Sequence, residues 1–203
     1  MAFLGNFPTT PGFQSVRLNI NTTTTNTVAL SGRRIRSAVG TTVWSATAVF
    51  PPMTTTEFRP IFAFITECRG SLNSFDVIFP EVSESSMTSK THTITVASDT
   101  VGGSTEIPVT ATTSDGDEIV KVGDMIRFSN HSKVYMVKET LIEDSAGTQF
   151  MKITPGLTQG ISTGNTIQYD NVQFRMTLEN DVQEISVGTE KLYRYEIDFI
   201  EEI

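Results

Sequence analysis

Apolar and polar residues alternate along most of this chain, and one stretch breaks the rhythm. Val16, Leu18 and Ile20 alternate with Arg17 and Asn19; Phe75, Val77 and Phe79 with Asp76 and Ile78; Val172, Phe174, Met176 and Leu178 with Gln173, Arg175 and Thr177. Near the end, Tyr193, Tyr195, Ile197 and Phe199 fall on one face, opposite Arg194, Glu196 and Asp198. Period 2 predicts half-buried strands. From Thr54 to Arg69 the spacing changes: Phe58, Ile61, Phe62, Ile65 and Cys68 recur at helical intervals and predict one amphipathic helix. Thr54 with Glu57 fits a capping box, and Gly70 stands where a helix would end. Pro60 falls near the first turn, where a missing amide hydrogen matters least.

Turn residues divide the strands. Asn21 to Thr27 reads as a turn or long loop; Val28–Ser37 and Thr41–Phe50 read as a hairpin joined near Gly40 and stopped by Pro51-Pro52. Glu81 to Thr91 is rich in Ser, Thr and Glu and reads as a linker. Between His92 and Tyr169, short strands lie between Gly102-Gly103, Asp115-Gly116, Asn130-His131, Ala146-Gly147, Pro155-Gly156 and Gly164-Asn165. That spacing predicts a small β-barrel or sandwich. A lone terminal hairpin is marginal in water, so the last long strands need the first ones as partners. The fold expected is mainly β. A discontinuous core, residues 1–90 and 171–203, forms a β-sandwich or split barrel with the packed helix 54–69. A small β-barrel domain is inserted at 91–170.

Composition adds constraints. The 203 residues suffice for a real core. Net charge is −8, yet residues 1–52 contain no Asp or Glu and carry Arg17, Arg33, Arg34 and Arg36, leaving −12 on the remainder. Such asymmetry suits contact with a neighbouring copy, or the solvation of two faces. Sequence-specific nucleic-acid binding is not expected of so acidic a chain, although an acidic wall is compatible with DNA passing through a lumen. Met1 to Phe13 has no basic n-region or long apolar run, so no signal peptide is expected, and no stretch is long and apolar enough for a membrane span. One cysteine, Cys68, fits a reducing compartment.

Candidate chemistry is sparse. His92 and His131 are the only histidines, too few for a His-based metal cluster, and His131 reads as a turn residue. Ser114-Asp-Gly-Asp-Glu118 lacks the ligand spacing of an EF-hand and reads as a solvated turn. No phosphate loop, nucleophile elbow or zinc-protease motif occurs, so no catalytic residue, cofactor or metal is expected, and the chain is read as non-enzymatic. The one charged feature carried forward is Arg33, Arg34 and Arg36, a candidate subunit interface. On a strand, Arg34 and Arg36 share a face while Arg33 points to the other; protection of an exposed edge strand is the alternative role.

Several segments resemble the short structural proteins of bacteriophage tail tips and baseplates. They are Phe58-Arg-Pro-Ile-Phe-Ala-Phe-Ile65 leading into Gly70-Ser-Leu-Asn-Ser-Phe-Asp-Val77, Gly123-Asp-Met-Ile-Arg-Phe128 with Lys133-Val-Tyr-Met-Val137, Ile153-Thr-Pro-Gly-Leu157 and Leu192-Tyr-Arg-Tyr-Glu-Ile197. The resemblance is to the distal tail protein family, from about residue 14 to the end. It implies a tail-tube-like β-sandwich with one packed helix and a hexameric ring linking the tail tube protein to tip or hub proteins. It also implies a virion location after assembly in the host cytoplasm. A receptor- or carbohydrate-binding module, and a tail terminator or head–tail adaptor, are the alternatives.

Overall fold

The computed structural model describes residues 2–38, 40–144, 148–187 and 192–203. The chain is mainly β with one α-helix, a three-residue 3-10 turn and a closed six-stranded barrel, as the strand periodicity predicts. It divides into two compact units. The first comprises Met1–Phe7, Ser74–Met176 and Glu202–Ile203; the second comprises Pro8–Asn73 and Thr177–Glu201.

The barrel of the first unit closes in the order Met125–Phe128, Val134–Val137, Gln149–Thr154, Glu106–Ala111, Ile94–Val96 and Thr166–Gln168. Ile94, Ile107, Val109, Ile126, Phe128, Tyr135, Met151 and Ile153 point inward and are buried. The predicted turns at Gly102-Gly103, Asp115-Gly116 and Gly164-Asn165 are present, while Ala146-Gly147 lies outside the described residues. Gly156 has a structural reason: a Cβ there would meet the Gly103 carbonyl oxygen at 2.8 Å.

Beside the barrel, Ser74–Val77 pairs in parallel with Phe3–Asn6 and antiparallel with Phe174–Leu178. Asp76 sits on the middle strand directly opposite Arg175. Arg175 donates to both carboxylate oxygens, at 2.7 and 3.3 Å, and stacks 4.0 Å over the ring of Phe3. Arg127, from the barrel strand Met125–Phe128, approaches the same carboxylate at 3.5 Å and donates to the Gln173 carbonyl at 3.0 Å. Asp76 is only 7 % exposed at its side chain, so two guanidinium groups neutralise one buried negative charge.

The segment 81–91 is not a loose linker. Ser85 and Ser86 hydroxyls each donate to Asp124 at 2.7 Å, and the Lys90 ammonium donates to Asp170 at 2.7 Å. Ser83, Ser85 and Met87 are buried. Small hydroxyls here satisfy carboxylates that would otherwise be stranded, a pairing that leaves no periodic signature.

In the second unit, Val43–Val49 is hydrogen-bonded on both edges, to Ser15–Asn21 and to Glu196–Glu201, each antiparallel. The chain's last strand therefore pairs with strands from its beginning. The helix runs Thr55–Cys68, and Glu57 accepts both the Thr54 amide and its hydroxyl at 2.8 Å. Arg69 turns into the left-handed region at φ 53°, ending the helix with Gly70 following at φ 66°. Pro60 is the sixth helical residue, in the second turn, and removes a single amide without ending the helix. Phe58, Ile61, Ile65 and Cys68 are buried; Phe62 is half exposed and stacks on Phe58. Phe58 lies flat on Tyr193 at 4.5 Å, which fixes the helix to the terminal strands.

One expectation is overturned. Val28–Ser37 does not pair with Thr41–Phe50. Thr24–Val28 is itself a strand and pairs with Arg34–Ala38, while Val43–Val49 takes Ser15–Asn21. The turn lies at Ala29–Gly32, where the Gly32 amide donates to the Ala29 carbonyl and Gly32 adopts φ 76°. A tight turn ending in a left-handed glycine sets the register of a three-residue hairpin loop.

Removing the Asp76 carboxylate leaves two partly buried guanidinium groups without their counter-charge. Asp76→Ala is expected to destabilise the first unit by about 3–5 kcal/mol, read from urea unfolding followed by circular dichroism. A loss below about 1 kcal/mol would show that the pair carries little of the fold.

Candidate assembly interface: an arginine-tipped arm and an acidic cleft

The two strands Thr24–Val28 and Arg34–Ala38 form a ribbon of their own beyond the sheet. All ten of their residues are exposed. Cross-strand register sets the two faces. Val28 opposes Arg34 and Asn26 opposes Arg36, so both arginines share one face; Thr27 opposes Ile35 on the other. Arg33 precedes the strand, and its carbonyl accepts the Ala29 amide at 2.9 Å. Leu30 at the turn is fully exposed, and Val28 and Ile35 are more than half exposed. Among the described residues, no ion pair engages Arg33, Arg34 or Arg36.

In sequence the ribbon lies between the sheet strands Ser15–Asn21 and Val43–Val49. Asn21 opposite Val43 marks the end nearest the arm, and Ser15 opposite Val49 marks the other. At that far end lies a cleft of about 760 Å³ lined by Gln14, Phe50, Gln183, Glu184, Arg194, Glu196 and Asp198, among others. Among the described residues, three carboxylates against one guanidinium make it acidic. Asp198 accepts the Thr47 hydroxyl at 2.7 Å and is thereby fixed, whereas Glu184 and Glu196 are exposed. The Tyr195 hydroxyl donates to Gln183 at 2.6 Å, and burial raises its pKa beyond the ordinary phenol range. This cleft has no local sequence motif; only the run of acidic residues after Glu179 hints at it.

The other candidates resolve as structural groups. His92 is buried; its Nε2 lies 2.8 Å from the Ile119 carbonyl, and its ring stacks on Tyr169 at 4.7 Å. His131 sits in the loop after Met125–Phe128. Its Nδ1 faces Asn130 Oδ1 and its Nε2 faces the Tyr135 hydroxyl, both at 2.8 Å, so a neutral ring with the proton on Nδ1 satisfies both. Burial, with Arg127 nearby, lowers its pKa to about 4. Asp117 accepts from the Thr113 hydroxyl and the Ser114 amide, which makes 114–118 a self-capped turn. Among the described residues, no group of three or more His, Cys, Asp or Glu side chains could hold a metal ion, and no helix is long and apolar enough to cross a membrane. Cys68 is fully buried, and burial together with Glu67 raises its thiol to about 12.

Two measurements check these environments. Because the folded His131 resists protonation down to about pH 4 while the unfolded ring titrates near 6.5, the unfolded chain gains protons first. The His131 contribution to stability is complete above pH 6.5 and declines as pH falls towards 4. His131→Gln should remove about 1–2 kcal/mol of that acid-side loss, after discounting for solvent access. Cys68 should remain unlabelled by an aromatic disulfide reagent at pH 8 and react at once in denaturant; rapid native labelling would contradict its burial. No protein-family model matches this chain, and a search of curated proteins finds no match to it.

Proposed function

We propose that the chain is a structural subunit of a tailed-bacteriophage virion, forming a ring or adaptor at the distal end of the tail between the tail tube and the tip proteins. The observation that supports this reading is the arm. An ordered two-stranded ribbon exposes Leu30, Val28 and Ile35 and three arginines, and gains nothing for its own fold from doing so. Isolated ribbons of this kind are marginal in water, so a surface on another molecule is the natural counterpart. The absence of an acidic residue from positions 1–52 and the excess of acid elsewhere supply complementary charge for such a contact. The resemblance to distal tail proteins supplies the setting.

A tail terminator or head–tail adaptor would use the same self-association at another position along the virion. A receptor- or carbohydrate-binding module, using the inserted β-domain, is the alternative of a different class; the cleft itself offers no free ring face for a sugar, since Phe50 and Tyr195 are 2 % and 3 % exposed.

Light scattering after size-exclusion, with electron microscopy of the same fractions, is expected to find sixfold rings, formed by the chain alone or on addition of tail partners. A strict monomer under both conditions overturns the proposal.

A further inference from the structure

We infer that the acidic cleft at one end of the sheet is the socket for the arginine-tipped arm of a second copy of this chain, so that copies join head to tail. The inference rests on the ring reading and deepens it by naming both halves of the contact.

Three observations carry it. First, the charges match. The arm presents Arg33, Arg34 and Arg36 with no ion pair among the described residues, and among the described residues the cleft presents Glu184, Glu196 and Asp198 with Arg194. Second, the arm leaves the sheet at the end remote from the cleft. Ser15 opposes Val49 beside the cleft, and Asn21 opposes Val43 where the chain departs towards the arm. The paired strands between those two ends span about 20 Å, at roughly 3.3 Å per residue. Third, the space is suitable: about 760 Å³, open to solvent on its polar rim, admits guanidinium groups on long side chains.

The consequence is a heterologous interface. Each copy gives an arm and receives one, and such contacts close into a ring or run on as a filament. The interaction is also polar and partly exposed. It therefore contributes register and orientation, with salt weakening it.

Charge reversal tests this on the full chain. One variant carries Arg33→Glu, Arg34→Glu and Arg36→Glu. The other carries Glu184→Lys and Glu196→Lys, sparing Asp198 because it accepts the Thr47 hydroxyl. All five positions are exposed, and circular dichroism with urea unfolding confirms that each variant folds; Glu184→Gln with Glu196→Gln serves as the milder cleft variant. By sedimentation velocity in 0.15 M salt, each reversed variant alone is expected to associate at least about tenfold more weakly than the wild type. An equimolar mixture of the two is expected to recover assembly, because every arm then meets a cleft of opposite sign. Its products should contain even numbers of subunits. If both variants assemble like the wild type, the arm–cleft contact is wrong while the ring reading stands. Loss with the arm variant alone, without rescue by mixing, places the arm in another surface and equally overturns the contact. A wild type that stays monomeric at its highest soluble concentration, with and without tail partners, removes the ring reading itself.

Discussion

The second unit depends on one strand having partners on both edges. Val43–Val49 is laddered to Ser15–Asn21 on one side and to Glu196–Glu201 on the other, which ties residues some 150 positions apart into one sheet. Its side chains fit that role. Ala46 and Ala48 keep the strand thin where neighbours approach, and Trp44 is buried with its amide donating to Glu201 at 3.0 Å. Beyond Thr42 this support stops. The continuation has only its hairpin mate, so every residue from Thr24 to Val28 and from Arg34 to Ala38 faces water. Core sheet and free ribbon are thus neighbours in the sequence, with opposite exposure.

What could be read from the sequence follows from which interactions are local. The helix was legible because its period, its Thr54–Glu57 cap and its Gly70 stop all lie within seventeen residues. The barrel was legible because its strands are separated by glycine-bearing turns. The arm was not. Asn21 to Thr27 is polar on both faces, and a strand announces itself through alternation only when one face is buried. With that strand unseen, Gly40 seemed the better hinge, although Gly32 supplies the left-handed residue that fixes the register. Asp76 was equally opaque. It has the look of the wet side of an amphipathic strand, yet its partners Arg127 and Arg175 are contributed by strands 51 and 99 residues later. No neighbouring residue signals that pairing.

That carboxylate also explains a feature of the first unit. Burying one anion between two cations is costly in desolvation and repays little net stability over an apolar alternative. Its effect is to fix geometry: the side-on Arg175 pair demands the register Arg175–Asp76, and Arg127 demands that the barrel strand Met125–Phe128 stand at one place against it. The serine clamps on Asp124 work similarly, holding the 81–91 segment by hydrogen bonds that only short side chains in one conformation can make. In this unit, polar residues specify where otherwise interchangeable apolar surfaces meet.

The solitary thiol on the helix has a practical meaning. Cys68 is enclosed on the greasy face of its helix, and the described residues hold no other sulfhydryl. The native chain is therefore a silent background for chemical tagging. A cysteine placed at the fully exposed hairpin apex, in place of Leu30, would be the one position open to a fluorophore or spin probe. Distances and mobilities at the apex could then be followed in single particles or in whole assemblies, without first stripping the molecule of its natural sulfur.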